Sequence, residues 1–147
     1  MEVNKLRNKE NQIIYGPLEI KPKIFNDDRG YFYETWNAKD FEAKIDSETS
    51  FVQDNQSFSE RGTLRGLHYQ LNPMAQGKLV RVTKGRVFDV IVDLRRKSKT
   101  FKSWTSLILN CKDKNQIWIP KGFAHGFLTL SKKAIVEYKV CLLYTSD

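Results

Sequence analysis

The chain has 147 residues, with 25 Lys and Arg against 17 Asp and Glu, a net charge of +8, 40% hydrophobic residues and 12% aromatics. That is one domain's length, with enough apolar side chains to close a single core. It excludes a membrane helix, since no apolar run approaches about 20 residues, and a disulfide or CxxC zinc framework, since Cys111 and Cys141 stand alone.

The N-terminus, Met1 to Asn11, is polar and lacks a secretory h-region, so a cytoplasmic protein with reduced thiols is expected. Lys5, Arg7 and Lys9 lie in this N-terminal arm, and Arg95, Arg96, Lys97, Lys99 and Lys102 lie in one loop-like stretch. Both clusters read as solvated surface, and the excess charge favours an anionic partner without naming it. Past the turn signal Asn26 to Gly30, a first β-prone run covers Tyr31–Trp36. A short helix follows: Asn37 can cap it, Asp40 stands at its third position, Phe41 and Ile45 share a face, and polar Asp46 to Ser50 end it. Further β-prone runs are Phe51–Phe58, Thr63–Gln70, Lys78–Thr83, Arg86–Leu94, Trp104–Leu109, Gln116–Ile119, Phe123–Leu130 and Ala134–Lys139, separated by Pro, Gly and Asn/Asp turns. Short strands at this spacing predict an all-β sandwich or barrel with one or two short helices.

The run Arg86–Leu94 alternates. Phe88, Val90, Val92 and Leu94 share one face, and Val87, Asp89, Ile91 and Asp93 share the other. Two carboxylates among Val and Ile fit either an outer sheet face or a polar cavity within a barrel, and periodicity does not choose. The two histidines, His68 and His125, are 57 residues apart with no His-x-His pair, so no metal site is expected. Without a metal, histidine is the best general base near neutral pH. In a regular strand, Arg65 and His68 would point to opposite faces because their spacing is odd, although Gly66 between them could introduce a bulge.

Several motifs in order add to this. Phe51-Val52-Gln53-Asp54-Asn55, Thr63 to Gln70 (TLRGLHYQ), Gln76 to Arg81 (QGKLVR), Val87-Phe88-Asp89-Val90 and Trp118-Ile119-Pro120 with Gly122 to Phe127 (GFAHGF) follow Asp28-Arg29-Gly30 with Phe32 and Glu34. From about Pro22 to Lys139 the chain resembles the dTDP-4-dehydrorhamnose 3,5-epimerase family. The resemblance implies a cupin-type jelly roll, usually a homodimer, with no cofactor and no metal. It implies a dTDP-linked 4-keto-6-deoxyhexose as the partner, and neither nucleic acid nor membrane. It implies that His68 is the proton-abstracting base, that Tyr138 returns a proton from the opposite face, and that Lys78 stands near the keto oxygen. Arg29, Glu34, Gln53, Asp54, Asn55, Arg65, Lys78 and His125 match substrate contacts.

The resemblance ends near Val140, and the last residues, Cys141 to Asp147, look foreign to it. A single cupin-like domain over residues 1–147 is therefore expected, lacking the family's C-terminal part after about residue 139. In the family, a carboxylate from that part supports the catalytic histidine, so a weakly active or inactive chain is expected, with Asp89 as the remaining carboxylate to assist His68. Three rivals remain open on the sequence. One is a single-carbon epimerase using the same groups, and one is a sugar-nucleotide binding module without catalysis. The third is a basic nucleic-acid-binding barrel, for which Phe101 and Trp104 beside the basic loop are the only support.

Overall fold

The computed structural model describes residues 1–69 and 76–142, so Gln70 and the tail 143–147 lie outside the described residues. The strands are β1 (Glu2–Arg7), β2 (Ile13–Lys21), β3 (Phe25–Asp27), β4 (Gly30–Phe32), β5 (Phe51–Glu60), β6 (Leu64–His68), β7 (Gln76–Lys84), β8 (Arg86–Asp93), β9 (Trp104–Asn110), β10 (Gln116–Ile119), β11 (Phe123–Thr129) and β12 (Lys133–Leu142). One helix, α1 (Ala38–Lys44), precedes β5. A six-stranded sheet in the order β1-β2-β10-β7-β12-β5 faces a four-stranded sheet in the order β6-β11-β8-β9, and every pairing is antiparallel. This is the all-β jelly roll expected from the sequence.

The core lies between the sheets. Ile14, Val80, Val82, Ile117, Ile119 and Val136 come from the larger sheet and meet Val87, Ile91, Leu109, Phe123 and Phe127 from the smaller one. Burying a side chain of this size contributes about 1.5–3 kcal/mol, and the shared core therefore holds the two sheets face to face. A second cluster, Ile20, Leu79, Trp118 and Cys141, lies on the outer side of the larger sheet under Phe41 of α1. The helix starts as its sequence demands, because the Asn37 side chain accepts the Asp40 N–H at 3.1 Å.

Three elements differ from expectation. The polar N-terminal arm is the hairpin β1–β2. Its strands carry few buried residues, Leu6 and Ile14 among them, so most of β1 shows the polar outer face of an edge strand and lacks a clear alternation. The run Tyr31–Trp36 is strand only at its start, in the small β3–β4 hairpin, after which the chain turns into the helix. The last strand does not stop at Lys139: Val140 and Cys141 are buried and paired with β5 and β7.

The face of β8 carrying Val87, Asp89, Ile91 and Asp93 is the buried one, so its carboxylates point into the barrel. Asp93 closes one end of it, accepting from Arg95, Ser98 and Thr100 at 2.6–3.0 Å. The two basic clusters, distant in sequence, become neighbours where β1 meets β9. The Thr105 hydroxyl donates to the Arg7 carbonyl, and Arg7, Arg95, Lys97 and Lys99 line one groove. Lys9 and Lys102 lie over the rings of Trp104 and Phe101 at 4.9 and 5.4 Å.

Candidate active site

The site begins with a departure from regular β geometry. His125 pairs with His68 and Phe127 pairs with Arg65, so two steps along β11 span three along β6. The extra residue is a bulge at Gly66, whose φ is +104°. A Cβ there would sit 2.6 Å from the His125 carbonyl oxygen and 2.7 Å from the Gly126 Cα, so only glycine fits. The bulge resolves the odd spacing: Arg65 and His68 reach the same face and line the same cavity.

That cavity, about 110 Å³, is walled by Ser57, Arg65, His68, Lys78, His125, Phe127 and Tyr138, and it adjoins a wider cleft of about 520 Å³. The cleft shares His68, Lys78, His125 and Tyr138 and adds Asn55, Tyr69, Ile119 and Phe123. A cleft of this size suits a small-molecule ligand. His68 and His125 enter from the four-stranded sheet, whereas Lys78 and Tyr138 enter from the six-stranded sheet. The two sheets thus bring polar groups to the cleft from opposite walls.

The electrostatics are those of a partly dehydrated cluster. The Lys78 ammonium lies 5.7 Å from the centre of the Tyr138 ring. Burial pulls its pKa below the usual lysine range, and the charge of Asp89 opposes that fall. Asp89 is fully buried, which pushes its carboxyl upward, while His125 and Lys78 act in the other direction. Its Oδ2 is 2.7 Å from His125 Nε2, and its Oδ1 has no protein partner. Asp89, expected to assist His68, is thus hydrogen-bonded to His125. It lies opposite Phe127 in the β8–β11 ladder and reaches diagonally to His125. Arg65 is held by β5, donating to the Ser59 hydroxyl at 2.7 Å and the Phe58 carbonyl at 3.0 Å. Among the described residues, no three His, Cys, Asp or Glu side chains are grouped to hold a metal.

Of the other expected contacts, Asn55 lines the cleft, and Gln53, Asp54, Arg29 and Glu34 do not. Asn55 is opposite Tyr138 and Gln53 opposite Val140, so both are on the cavity side of β5, and Asn55 reaches the cleft. Asp54 points to the opposite side, as the two-residue period requires, and pairs with Lys139 at 3.0 Å. Arg29 is almost fully exposed on the β3–β4 hairpin, paired with Asp27 at 2.7 Å. Glu34 accepts from Asn37 and lines a depression beside α1. Neither Arg29 nor Glu34 lines the cleft. Ser57 was not anticipated, although its spacing of two from Asn55 places it on the same strand face.

A family model described as dTDP-4-dehydrorhamnose 3,5-epimerase matches residues 11–147. The chain belongs to the dTDP-4-dehydrorhamnose 3,5-epimerase family. It is thereby an isomerase of cupin-type jelly-roll fold. Its relatives include the enzyme of that name from Shigella flexneri, 52% identical over 128 residues that cover 87% of this chain and 71% of the relative. Among solved structures, this epimerase-family chain matches the Legionella pneumophila dTDP-6-deoxy-D-glucose-3,5-epimerase in complex with dTDP-4-keto-L-rhamnose. That match has 48% identity and a TM-score of 0.86, and covers 97% of this chain and 73% of the other. A 3′-monoepimerase from Streptomyces bikiniensis in complex with dTDP-quinovose also matches, at 29% identity and TM-score 0.79, covering 85% and 63%. No helix among the described residues is long and apolar enough to cross a membrane.

Proposed function

We propose that the chain epimerises dTDP-4-dehydro-6-deoxy-D-glucose at the two carbons flanking its ketone, giving dTDP-4-dehydro-L-rhamnose. The reading rests on one observation: His68 and Tyr138 approach a single cleft from opposite sheets, with Lys78 beside Tyr138. A hydrogen next to a ketone is weakly acidic because its removal gives an enolate. His68 takes that proton as the C–H bond breaks, and the electron pair moves to the carbonyl oxygen. The Lys78 ammonium stabilises the resulting charge. As the enolate collapses, the Tyr138 hydroxyl delivers a proton to the opposite face of the carbon, which inverts it. Solvent then restores both groups. Tyrosine suits the role of acid because a phenol ordinarily stays protonated near neutral pH. Each positioned acid or base contributes typically about 10² to 10⁴-fold. Arg65, with its forked donors, suits the diphosphate.

The test is isotope exchange. The protein is incubated with the dTDP-4-keto-6-deoxy sugar in deuterated water, and deuterium is followed at both carbons. Exchange at both is expected from the chain, and its loss from His68→Asn. A His68→Asn protein that still exchanges at the wild-type rate would remove His68 as the base. The similarity to a 3′-monoepimerase gives the single-carbon alternative its support, and exchange at one carbon only would establish it.

A further inference from the structure

We propose that Asp89 is a positioning residue that acts through Lys78, its carboxylate serving as the buried counter-charge of the Lys78 ammonium while its bond to His125 fixes that imidazole in the cavity wall. The balance of charge around the cavity carries the inference. Opposite Lys78 on the neighbouring strands are Ile119 of β10 and Val140 of β12, both apolar. The titratable groups around the same space are Tyr138 on β12, Arg65 and His68 on β6 with Tyr69 just after it, and His125 on β11, and the uncharged polar ones are Asn55, Ser57 and Gln76. Among the described residues, no Asp or Glu lines either the cavity or the cleft. Asp89 on β8 points into the barrel beside His125, fully buried and bonded to it at 2.7 Å. Its second oxygen has no protein partner, which leaves a buried lone pair and half of its charge uncompensated by any hydrogen bond. A carboxylate so placed is strongly disfavoured by dehydration unless cations neutralise it. Lys78 is the cation whose own burial creates the matching need.

The direction of each titration agrees with this geometry. Burial drives Lys78 toward its neutral form and Asp89 toward its protonated form, and each opposes that drift in the other. The coupling matters for the reaction because a neutral amine at Lys78 could not balance an enolate. The inference rests on the epimerase reading only for what the ammonium does there; the pairing of charges stands without it.

The substitution Asp89→Asn isolates the charge. The amide oxygen of asparagine can still accept from His125 Nε2–H, so the hydrogen bond is kept while the negative charge is lost. With the lysine side chains labelled with ¹⁵N, the Nζ signal of Lys78, assigned by its absence in Lys78→Met, is titrated in the substrate-free protein. Its midpoint is expected to fall by about one pH unit in Asp89→Asn, on the order of the effect of a nearby opposite charge. The alkaline limit of sugar-proton exchange should move the same way. A Lys78 midpoint equal in the two folded proteins would overturn the proposal. The titration needs no turnover, so a protein that fails to exchange the sugar's protons counts against the epimerase reading alone. If Asp89→Asn does not fold, the reciprocal measurement decides: the Asp89 carboxyl carbon should titrate higher in Lys78→Met than in the wild type, and an unchanged midpoint would refute the coupling.

Discussion

Gly66 is where the fold and the site depend on one missing side chain, and its replacement by alanine gives a worked magnitude. At φ +104° an L residue is strained, which costs about 1–2 kcal/mol. The new Cβ would also sit 2.6 Å from the His125 carbonyl oxygen and 2.7 Å from the Gly126 Cα, both backbone atoms that cannot turn aside. Forced overpacking of this kind adds about 1–3 kcal/mol. Gly66→Ala should therefore lose about 2–5 kcal/mol of stability. Gly62 supplies the control: its φ is +83°, yet nothing lies within 4 Å of the place a Cβ would occupy. Gly62→Ala should lose only the first contribution, about 1–2 kcal/mol. Urea unfolding followed by circular dichroism measures both, with the slope checked for constancy. The bulge also sets the face on which His68 stands, so Gly66→Ala should lose sugar-proton exchange while Gly62→Ala keeps it. Equal losses of stability in the two variants would refute the reasoning, because the close approach of β6 to β11 would then cost nothing.

Other consequences can be measured separately. Burial would raise the Asp93 carboxyl, but Arg95, Ser98, Thr100 and the Arg95 backbone N–H overcome that and hold it at about 2. Because its folded pKa lies below its unfolded value, Asp93 stabilises the fold above about pH 4, and this contribution disappears as the pH falls through about 2. Asp93→Asn should be less stable than the wild type at neutral pH by on the order of 2 kcal/mol, with the gap closing in acid-titration melts. Burial pushes the Cys141 thiol upward, whereas Cys111 is only half-buried, so a thiol reagent should modify Cys111 in the folded protein and Cys141 only after unfolding. Arg29 does not line the cleft of its own chain. If it contacts substrate, it does so from a second copy, and mixing inactive Arg29→Ala and His68→Asn proteins should restore about a quarter of wild-type activity through dimers with one intact site. No restoration after subunit exchange would exclude that sharing.

Local order is legible in the sequence where a short period or a cap encodes it. The alternation of β8 anticipates two faces, and Asn37 with Asp40 anticipates the start of α1. Periodicity leaves open which face of β8 is buried, since that depends on the sheet opposite. The hairpin β1–β2 escapes a reading by pattern because an edge strand with few buried side chains has little apolar periodicity. That Asp89, the carboxylate expected to assist His68, bonds to His125 has a related reason. Its actual partner is fixed by the β8–β11 register, a relation between strands more than 30 residues apart that no local spacing expresses.

The site combines both kinds of information. Asn55 and Ser57 follow from a period of two along β5, but His68 and Tyr138, 70 residues apart, meet only because one sheet closes over the other. On the proposed reading, that separation lets a carbon beside the ketone lose its proton to one side and regain one from the other. Residues on one strand face reach a substrate from one direction, so inversion at a carbon calls for groups on two walls. The jelly roll supplies the walls through its core, and the bulge at Gly66 turns Arg65 and His68 into the same cavity. Packing between the sheets therefore sets the distance between His68 and Tyr138, the proposed base and acid. A core substitution such as Val136→Ala, two residues before Tyr138 on β12, should reduce exchange by more than its loss of global stability predicts, measured under conditions where both proteins remain fully folded.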